Sequence, residues 1–276
     1  MNRSGRGNGV DTRPRVDDHV MIAPPPRAVR SGRAVIAAAA TLALGATACG
    51  GGGNDSAART TPSATPAPPH VVRFCSGKGS GWRGVKAQRN GEAIDAAALG
   101  AGPVVVLVNE SDNNACAWMA EARALAERGY RAVVFTYVNS DDESASTDDA
   151  LAVSDAVRGG AKVRMMGASV GGRIVFEAAA SAPGRLAAIV SLSGERQVQG
   201  LPDILPEVRR VRIPVLYVGS RQDPYTEGTR QPRRLRAALP SRAARFHLVA
   251  GAQHGVLLLG HAAVRNRIRA FLDAHR

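Results

Sequence analysis

The stretch that decides the fold is Val163-Arg164-Met165-Met166-Gly167-Ala168-Ser169-Val170-Gly171-Gly172. Its apolar run at 163–167 is typical of a buried strand, and the alanine-rich pattern at 170–182 is typical of a helix. Small residues around Ser169 permit a sharp strand-to-helix turn, which would present the serine hydroxyl at the carboxyl edge of a sheet. The first free N–H of the helix, that of Val170, would point to the same place. Ser169 is therefore a candidate nucleophile.

Strands and helices alternate on both sides of this stretch. The patterns predict strands at 71–74, 85–89, 93–99, 104–108, 132–138, 186–192, 215–219 and 246–250. They predict helices at 116–128, 148–157, from near Pro232 onward, and at 263–274. Such alternation predicts an α/β fold with a mostly parallel central sheet and helices on both faces.

A serine hydroxyl needs a base to accept its proton, and the base needs a carboxylate to orient it. Asp223 and His254 each follow an apolar predicted strand, at the edge where parallel sheets gather functional side chains. The chain has six histidines, and the other five lie before the domain, inside a strand or beside the last helix. Glu195, which follows the preceding strand, is the competing acid. The alternatives are a turn-forming role for Asp223 and a loop histidine without a task.

A second oxyanion donor is expected in the loop that follows strand 104–108, and the backbone N–H of Ser111 is the candidate. Glu110 and Asp112 flank it. Because carboxylates would repel a developing oxyanion, we expect both side chains to face solvent.

These residues give residues 71–276 a resemblance to the α/β-hydrolase superfamily, and above all to its dienelactone-hydrolase-like and small esterase branches. The resemblance rests on Gly167 to Gly172, Asp223 and His254. It implies an α/β-hydrolase fold in which Ser169 is the nucleophile, Asp223 the acid and His254 the base, with Val170 and Ser111 in the oxyanion hole. The chain departs from the family at Asn109-Glu110, where a His-Gly pair is usual.

The resemblance implies hydrolysis of a small-molecule ester, with amides and lactones as open alternatives. Only about twenty residues separate strands 186–192 and 215–219, so we expect no large cap domain, and 194–210 could form a short lid. The competing hypothesis is a non-catalytic surface lipoprotein that uses the hydrolase scaffold for binding. The altered Asn109-Glu110 pair favours that alternative.

The amino-terminal region has the layout of an export signal. Three arginines, ending at Arg33, precede an apolar stretch at 34–46 that is too short to span a bilayer. Ala46-Thr47-Ala48-Cys49 then resembles a bacterial lipoprotein box, which predicts a signal region at 1–48 and lipidation of Cys49. Residues 49–70 are rich in Gly, Ser, Thr and Pro and predict a flexible tether. Ordinary secretion is the alternative to anchoring on the outer face of the cytoplasmic membrane.

More than thirty residues precede the apolar stretch, which is long for such a signal. A translation start at Met21 would give an ordinary layout. The true start codon therefore stays open.

Two further cysteines, Cys75 and Cys116, follow Cys49. An exported compartment would permit them to form a disulfide, and free buried thiols are the alternative.

Composition excludes several classes of function. The 45 % apolar share suits a folded core, and a net charge of +13 alone would suggest a nucleic-acid partner. Only 4 % of residues are aromatic, however, and no basic run is interleaved with aromatic residues. We therefore expect no nucleic-acid binding. Metal-binding and phosphate-binding motifs are missing from the sequence, so we expect neither a metal nor a cofactor. The oligomeric state is open.

Overall fold

The computed structural model describes residues 69–76, 81–138, 143–240 and 242–276. Within these ranges the strands are β1 (Arg83–Arg89), β2 (Glu92–Leu99), β3 (Val104–Val108), β4 (Arg131–Phe135), β5 (Val163–Ala168), β6 (Leu186–Leu192), β7 (Val215–Ser220) and β8 (Ala244–Val249). The α-helices are α1 (His70–Ser76), α2 (Met119–Glu127), α3 (Glu143–Arg158), α4 (Val170–Ser181), α5 (Leu205–Val208), α6 (Arg230–Ala238) and α7 (Ala262–Asp273). Two 3-10 helices lie at Ala115–Trp118 and Gly255–Gly260. Met21, the predicted signal region, Cys49 and all but the end of the predicted tether lie outside the described residues.

The eight strands form one sheet in the order β1-β2-β4-β3-β5-β6-β7-β8. β2 is antiparallel to both β1 and β4, and every other neighbouring pair is parallel. The carboxyl ends of β3, β5, β6, β7 and β8 therefore meet at one edge of the sheet. The predicted mostly parallel α/β architecture is confirmed.

The core has one layer on each face of the sheet. Along β3, Val104, Val106 and Val108 belong to one buried cluster, whereas Val105 and Leu107 belong to the other. This alternation follows from the two-residue period of a strand, and it explains why β3 is apolar at every position. Helices α3, α4, α5 and α6 cover the first face, and α1, α2 and α7 cover the second. Burial of each such aliphatic side chain stabilises the fold by about 1.5–3 kcal/mol.

The strand predicted at 71–74 is wrong, because these residues lie in helix α1. The carbonyl oxygen of Pro69 accepts hydrogen bonds from the N–H groups of Val72 and Arg73, each at 3.0 Å, which starts the helical turn. Val71 and Val72 are 3 % and 0 % exposed and pack into the second core layer. Tertiary packing thus outweighs the preference of valine for strands.

Two further predicted elements have different bounds in the structure. The strand predicted at 132–138 ends at Phe135, because the N–H of Tyr137 donates to the side chain of Asn113 instead of a neighbouring strand. The helix predicted at 116–128 begins as the 3-10 helix and continues as α2 to Glu127. Gly129 follows with a φ of +78°, a conformation that ends the helix at little cost for glycine.

The chain between β6 and β7 contains only the short helix α5, so no large cap covers the carboxyl edge of the sheet. This prediction is confirmed. Among the described residues, no helix has both the length and the apolar character that crossing a membrane requires.

Candidate active site

Ser169 lies on the turn between β5 and α4 and has φ of 53° and ψ of −120°. Few residues other than glycine adopt such a conformation, and backbone strain of this kind is typical of functional sites. The neighbouring glycines make the turn possible. A Cβ on Gly167 would lie 2.0 Å from the carbonyl oxygen of Gly171, and a Cβ on Gly171 would lie 2.3 Å from that of Asn109. The turn presents Ser169 at the carboxyl edge of the sheet, as predicted.

His254 and Asp223 form a hydrogen-bonded pair beside this turn. Nδ1 of His254 lies 3.0 Å and 2.9 Å from the two carboxylate oxygens of Asp223. The Asp223 side chain is fully buried, and its carboxylate also accepts a hydrogen bond from the N–H of Tyr225 at 3.0 Å. The Tyr225 ring lies against the imidazole, with 4.5 Å between the ring centroids. These contacts orient the imidazole so that Nε2 faces the serine side.

The pKa values of this pair shift in opposite directions. Burial works to raise the pKa of Asp223, but the hydrogen bond with His254 and the nearby Ser193 side chain outweigh it and hold the pKa below its ordinary value. Burial works to lower the pKa of His254, but the hydrogen bond and charge of Asp223, with smaller contributions from Glu195 and Glu110, raise it. An ionised Asp223 and a readily protonated His254 are what general-base chemistry requires.

The Ser169 hydroxyl makes its hydrogen bond to Glu195 rather than to His254. Ser169 Oγ donates to Glu195 Oε1 at 3.0 Å. The same oxygen lies 3.7 Å from Nε2 of His254, and Nε2 has no hydrogen-bond partner among the described residues. The structure thus brings together the three predicted residues, Ser169, Asp223 and His254, and adds Glu195. The competing acid lies against the nucleophile, whereas Asp223 holds Nδ1 of the imidazole.

Glu195 is buried, with 8 % of the residue exposed. Burial raises the pKa of its carboxyl, and the hydrogen bond from Ser169 and the nearby His254 partly offset that rise. The sequence predicts Glu195 only as the competing orienting acid and does not predict its contact with the nucleophile. The signal available was its place just after β6, at the same sheet edge as Ser169 and Asp223.

The loop after β3 is held by a polar network centred on Asn109. Asn109 is fully buried, and its Nδ2 donates to the carbonyl oxygen of Phe135 at 2.6 Å and to Asn113 Oδ1 at 3.2 Å. Asn113 Nδ2 in turn donates to the Tyr137 carbonyl oxygen at 3.1 Å, and the Tyr137 hydroxyl donates to the Asn109 carbonyl oxygen at 2.8 Å. The side-chain amides of Asn109 and Asn113 therefore fix this loop.

The expectation that Glu110 faces solvent is wrong. Its Oε1 accepts a hydrogen bond from the N–H of Val256 at 3.2 Å, which ties the β3 loop to the 3-10 helix after His254. Burial raises the pKa of the Glu110 carboxyl, and the bond from Val256 opposes that rise. Asp112 is exposed, as expected, and its carboxylate accepts a bond from the N–H of Asn114 at 3.0 Å.

These residues surround an open cavity of about 490 Å³. It is lined by Glu110, Ser111, Asp112, Ser169, Val170, Glu195, Val198, Tyr225, His254 and Leu257. Both predicted oxyanion donors, Ser111 and Val170, therefore line the same cavity as the nucleophile. Tyr225 and Leu257 are 63 % and 67 % exposed and form an apolar rim at its mouth. A larger cavity of about 910 Å³ lies between β2, β4 and α2, but it lacks serine, cysteine and histidine side chains.

Cys75 and Cys116 form a disulfide that joins α1 to the 3-10 helix Ala115–Trp118. This 3-10 helix directly follows the loop that carries Ser111. The bond thus fixes the start of the described domain next to the candidate oxyanion loop. Among the described residues, no group of three or more histidine, cysteine or acidic side chains could hold a metal ion.

Comparison with known proteins identifies the fold. The sequence matches no family model and no curated protein. Structural comparison matches a dienelactone hydrolase from Anabaena variabilis, with a TM-score of 0.61 and 16 % identity over 70 % of this chain and 97 % of that one. A thermophilic esterase from Thermogutta terrifontis has a TM-score of 0.59 and 14 % identity, covering 71 % of this chain and 99 % of the other. A monoacylglycerol lipase from Paleococcus ferrophilus has a TM-score of 0.57 and 15 % identity, covering 66 % and 99 %.

At these identities the similarity concerns the fold. The strand order, the parallel pairing and these neighbours together show that the chain has the α/β-hydrolase fold.

Proposed function

We propose that this protein is an exported serine hydrolase that cleaves small-molecule esters through an acyl-enzyme intermediate. The observation that carries the proposal is Ser169 on a strained turn at the wall of an open cavity, next to a His254 that is hydrogen-bonded to buried Asp223. This arrangement has the parts that a serine nucleophile, a base and an orienting acid need. Hydrolases and esterases among the structural neighbours lend further support.

In the proposed mechanism, Ser169 Oγ attacks the carbonyl carbon of the ester while His254 Nε2 accepts the serine proton. Backbone N–H groups of Val170 and Ser111 stabilise the oxyanion of the tetrahedral intermediate. His254 then returns the proton to the leaving alcohol, and a water molecule, activated by the same histidine, releases the acid. Amides and lactones contain the same acyl carbonyl group, so substrate screening is needed to identify the preferred leaving group.

Export is the second part of the proposal. We place the domain on the outer face of the cytoplasmic membrane, held by a lipid on Cys49 and a tether up to residue 70, with plain secretion as the alternative. The Cys75–Cys116 disulfide supports an oxidising compartment. Membrane fractionation tests the anchor. The parent protein should sediment with membranes, and Cys49→Ala should move it to the soluble fraction.

The second candidate function is a binding protein that keeps the scaffold without turnover. It is favoured by the hydrogen bond of the Ser169 hydroxyl to Glu195, which leaves Nε2 of His254 without a partner among the described residues. The open cavity could hold a ligand that is only bound as well as a substrate that reacts.

A fluorophosphonate probe distinguishes the two functions, because it reacts only with an activated serine. Purified parent protein should be labelled, and Ser169→Ala should remove the label. Short-chain nitrophenyl esters should be hydrolysed by the parent, and a series of acyl chain lengths then defines the substrate. A parent protein that is folded, unlabelled and inactive toward every ester would refute the hydrolase and favour the binding protein.

A further inference from the structure

One carboxylate oxygen faces both groups between which the proposed mechanism moves a proton. Glu195 Oε1 accepts the hydrogen bond from Ser169 Oγ at 3.0 Å and lies 3.7 Å from His254 Nε2. A protonated imidazole would carry its hydrogen on this nitrogen and would find Oε1 as the nearest anion. A neutral imidazole offers the serine proton a lone pair there instead.

The backbone around Glu195 fixes the position of this carboxylate. Ser193 has a φ of +50°, a strained conformation for a residue other than glycine. At Gly194 a Cβ would lie 2.2 Å from the Ser191 hydroxyl oxygen and 2.5 Å from the Gly172 carbonyl oxygen. The turn after β6 is thus packed directly against the turn that carries Ser169. The strained backbone and the close packing therefore restrict the position of Glu195 relative to Ser169.

We propose that Glu195 is a fourth member of the catalytic group. Its carboxylate holds the Ser169 hydroxyl in the resting enzyme. It releases the hydroxyl to His254 when the imidazole is neutral and a substrate carbonyl occupies the cavity. The inference rests on the proposed hydrolase function. In the attack step the Ser169 O–H bond breaks, the bond from Oγ to the carbonyl carbon forms, and the proton moves to Nε2. Glu195 remains ionised, so the new imidazolium lies between two carboxylates, Asp223 at Nδ1 and Glu195 at Nε2.

This arrangement sets the pH at which His254 becomes a base. The negative charge of Glu195 favours the imidazolium, so it raises the pKa of His254 and delays the appearance of the neutral base as the pH rises. The other titratable or charged groups that face the Glu195–His254 pair are Glu110, Arg173, Tyr217, Asp223 and Tyr225. Replacing Glu195 by a neutral amide of the same shape should lower the pKa of His254 and shift the acidic limb of the reaction to lower pH.

The first test measures the rate of fluorophosphonate labelling against pH for the parent and Glu195→Gln. The acidic limb of the variant should lie lower by about one pH unit or more, the size expected for loss of an opposite charge about 4 Å away. Glu207→Gln, on α5 and paired with Arg210, is the matched control and should keep the parental profile. A Glu195→Gln profile that coincides with the parental one would overturn the proposal, whatever its height.

The second test needs no turnover and does not depend on how well Glu195→Gln folds. The His254 imidazole is titrated by NMR in the parent and in Ser169→Ala, where Glu195 loses its hydroxyl donor and can accept from Nε2 instead. The pKa of His254 should rise in the variant, and an unchanged titration would overturn the coupling. Absence of probe labelling in the parent refutes the proposed function, whereas an unchanged titration refutes the role of Glu195, so the two failures can be told apart.

Discussion

Substituting Asn109 by Asp tests whether the amide network holds the candidate oxyanion loop. Asn109→Asp changes only the donor nitrogen into an oxygen, at a site with no solvent exposure. The new carboxylate would face the carbonyl oxygen of Phe135 and the amide oxygen of Asn113, both of which accept hydrogen bonds from Asn109 in the parent. Two donors are lost, and a charge is buried without a partner.

The magnitude follows from those contacts. Two lost hydrogen bonds at about 1 kcal/mol each, together with a carboxylate buried against two acceptor oxygens, destabilise the folded state by about 3 kcal/mol. Protonation of the new carboxyl restores one donor, so its pKa in the folded state must lie above the unfolded value of about 3.9. One of the two bonds is still missing when the carboxyl is protonated, so about 2 kcal/mol of the loss depends on pH, which corresponds to a rise of about 1.5 pKa units at about 1.4 kcal/mol each. The deficit should therefore be about 1 kcal/mol below pH 4, grow to about 3 kcal/mol between about pH 4 and pH 5.5, and stay constant above that range.

Urea unfolding of the parent and Asn109→Asp at a series of pH values measures this curve directly. Asn114→Asp is the matched control in the same loop. Asn114 is exposed and its Oδ1 accepts from the N–H of Cys116, a role that aspartate fills equally well, so no deficit is expected. A deficit for Asn109→Asp that does not change with pH, or none at all, would refute the assignment of Nδ2 as the donor that holds the loop.

Three further predictions follow from the same structure. Replacing Cys75 and Cys116 by serine opens a link across a sequence separation of 41 residues, which should lower the free energy of unfolding by about 4 kcal/mol relative to the oxidised parent. Urea unfolding measures this loss, and the reduced parent should unfold like the variant. Gly171→Ala places a methyl group 2.3 Å and 2.4 Å from two carbonyl oxygens at the end of β3, so it should destabilise the domain by about 3 kcal/mol. The melting temperature should fall. Gly184→Ala is the control, because its methyl group meets nothing within 4 Å, and it should leave the melting temperature unchanged. Asp223→Asn removes the main influence that raises the pKa of His254, so fluorophosphonate labelling should slow by roughly two to four orders of magnitude and its acidic limb should move to lower pH.

The parts of the fold that could be predicted from sequence are those whose signal is local. β3 and β6 are continuous apolar runs because both faces of the sheet are covered, and the structure places both within the predicted bounds. The turn at Ser169 could be predicted because the sequence marks it with glycines. The structure requires these glycines, since a Cβ on Gly167 or Gly171 would lie only 2.0–2.4 Å from neighbouring backbone atoms. Helix α1 could not, because the preference of its valines for strands is overruled by packing against distant residues.

The site residues that could be predicted are those that directly follow the carboxyl end of a predicted parallel strand. Asp223 and His254 follow strands and lie where that rule puts them. Glu110 shows where the rule stops, because the orientation of its carboxylate depends on a bond to Val256, 146 residues away in sequence. The turn that carries Glu195 likewise contains a positive φ at Ser193, a residue whose type gives no signal of that conformation.

The departure from the usual His-Gly pair therefore has a different meaning in the structure than in the sequence. In the sequence, Asn109-Glu110 favoured a scaffold that binds without turnover. In the structure, Asn109 anchors the loop through Phe135, and Glu110 ties the same loop to the segment after His254, so both residues restrain the side of the cavity where an oxyanion would lie. The bond of Ser169 to Glu195 is the feature on which an enzyme and a binding protein would differ. In an enzyme, a proton can pass from Ser169 to His254, and this bond should then respond to the protonation of His254.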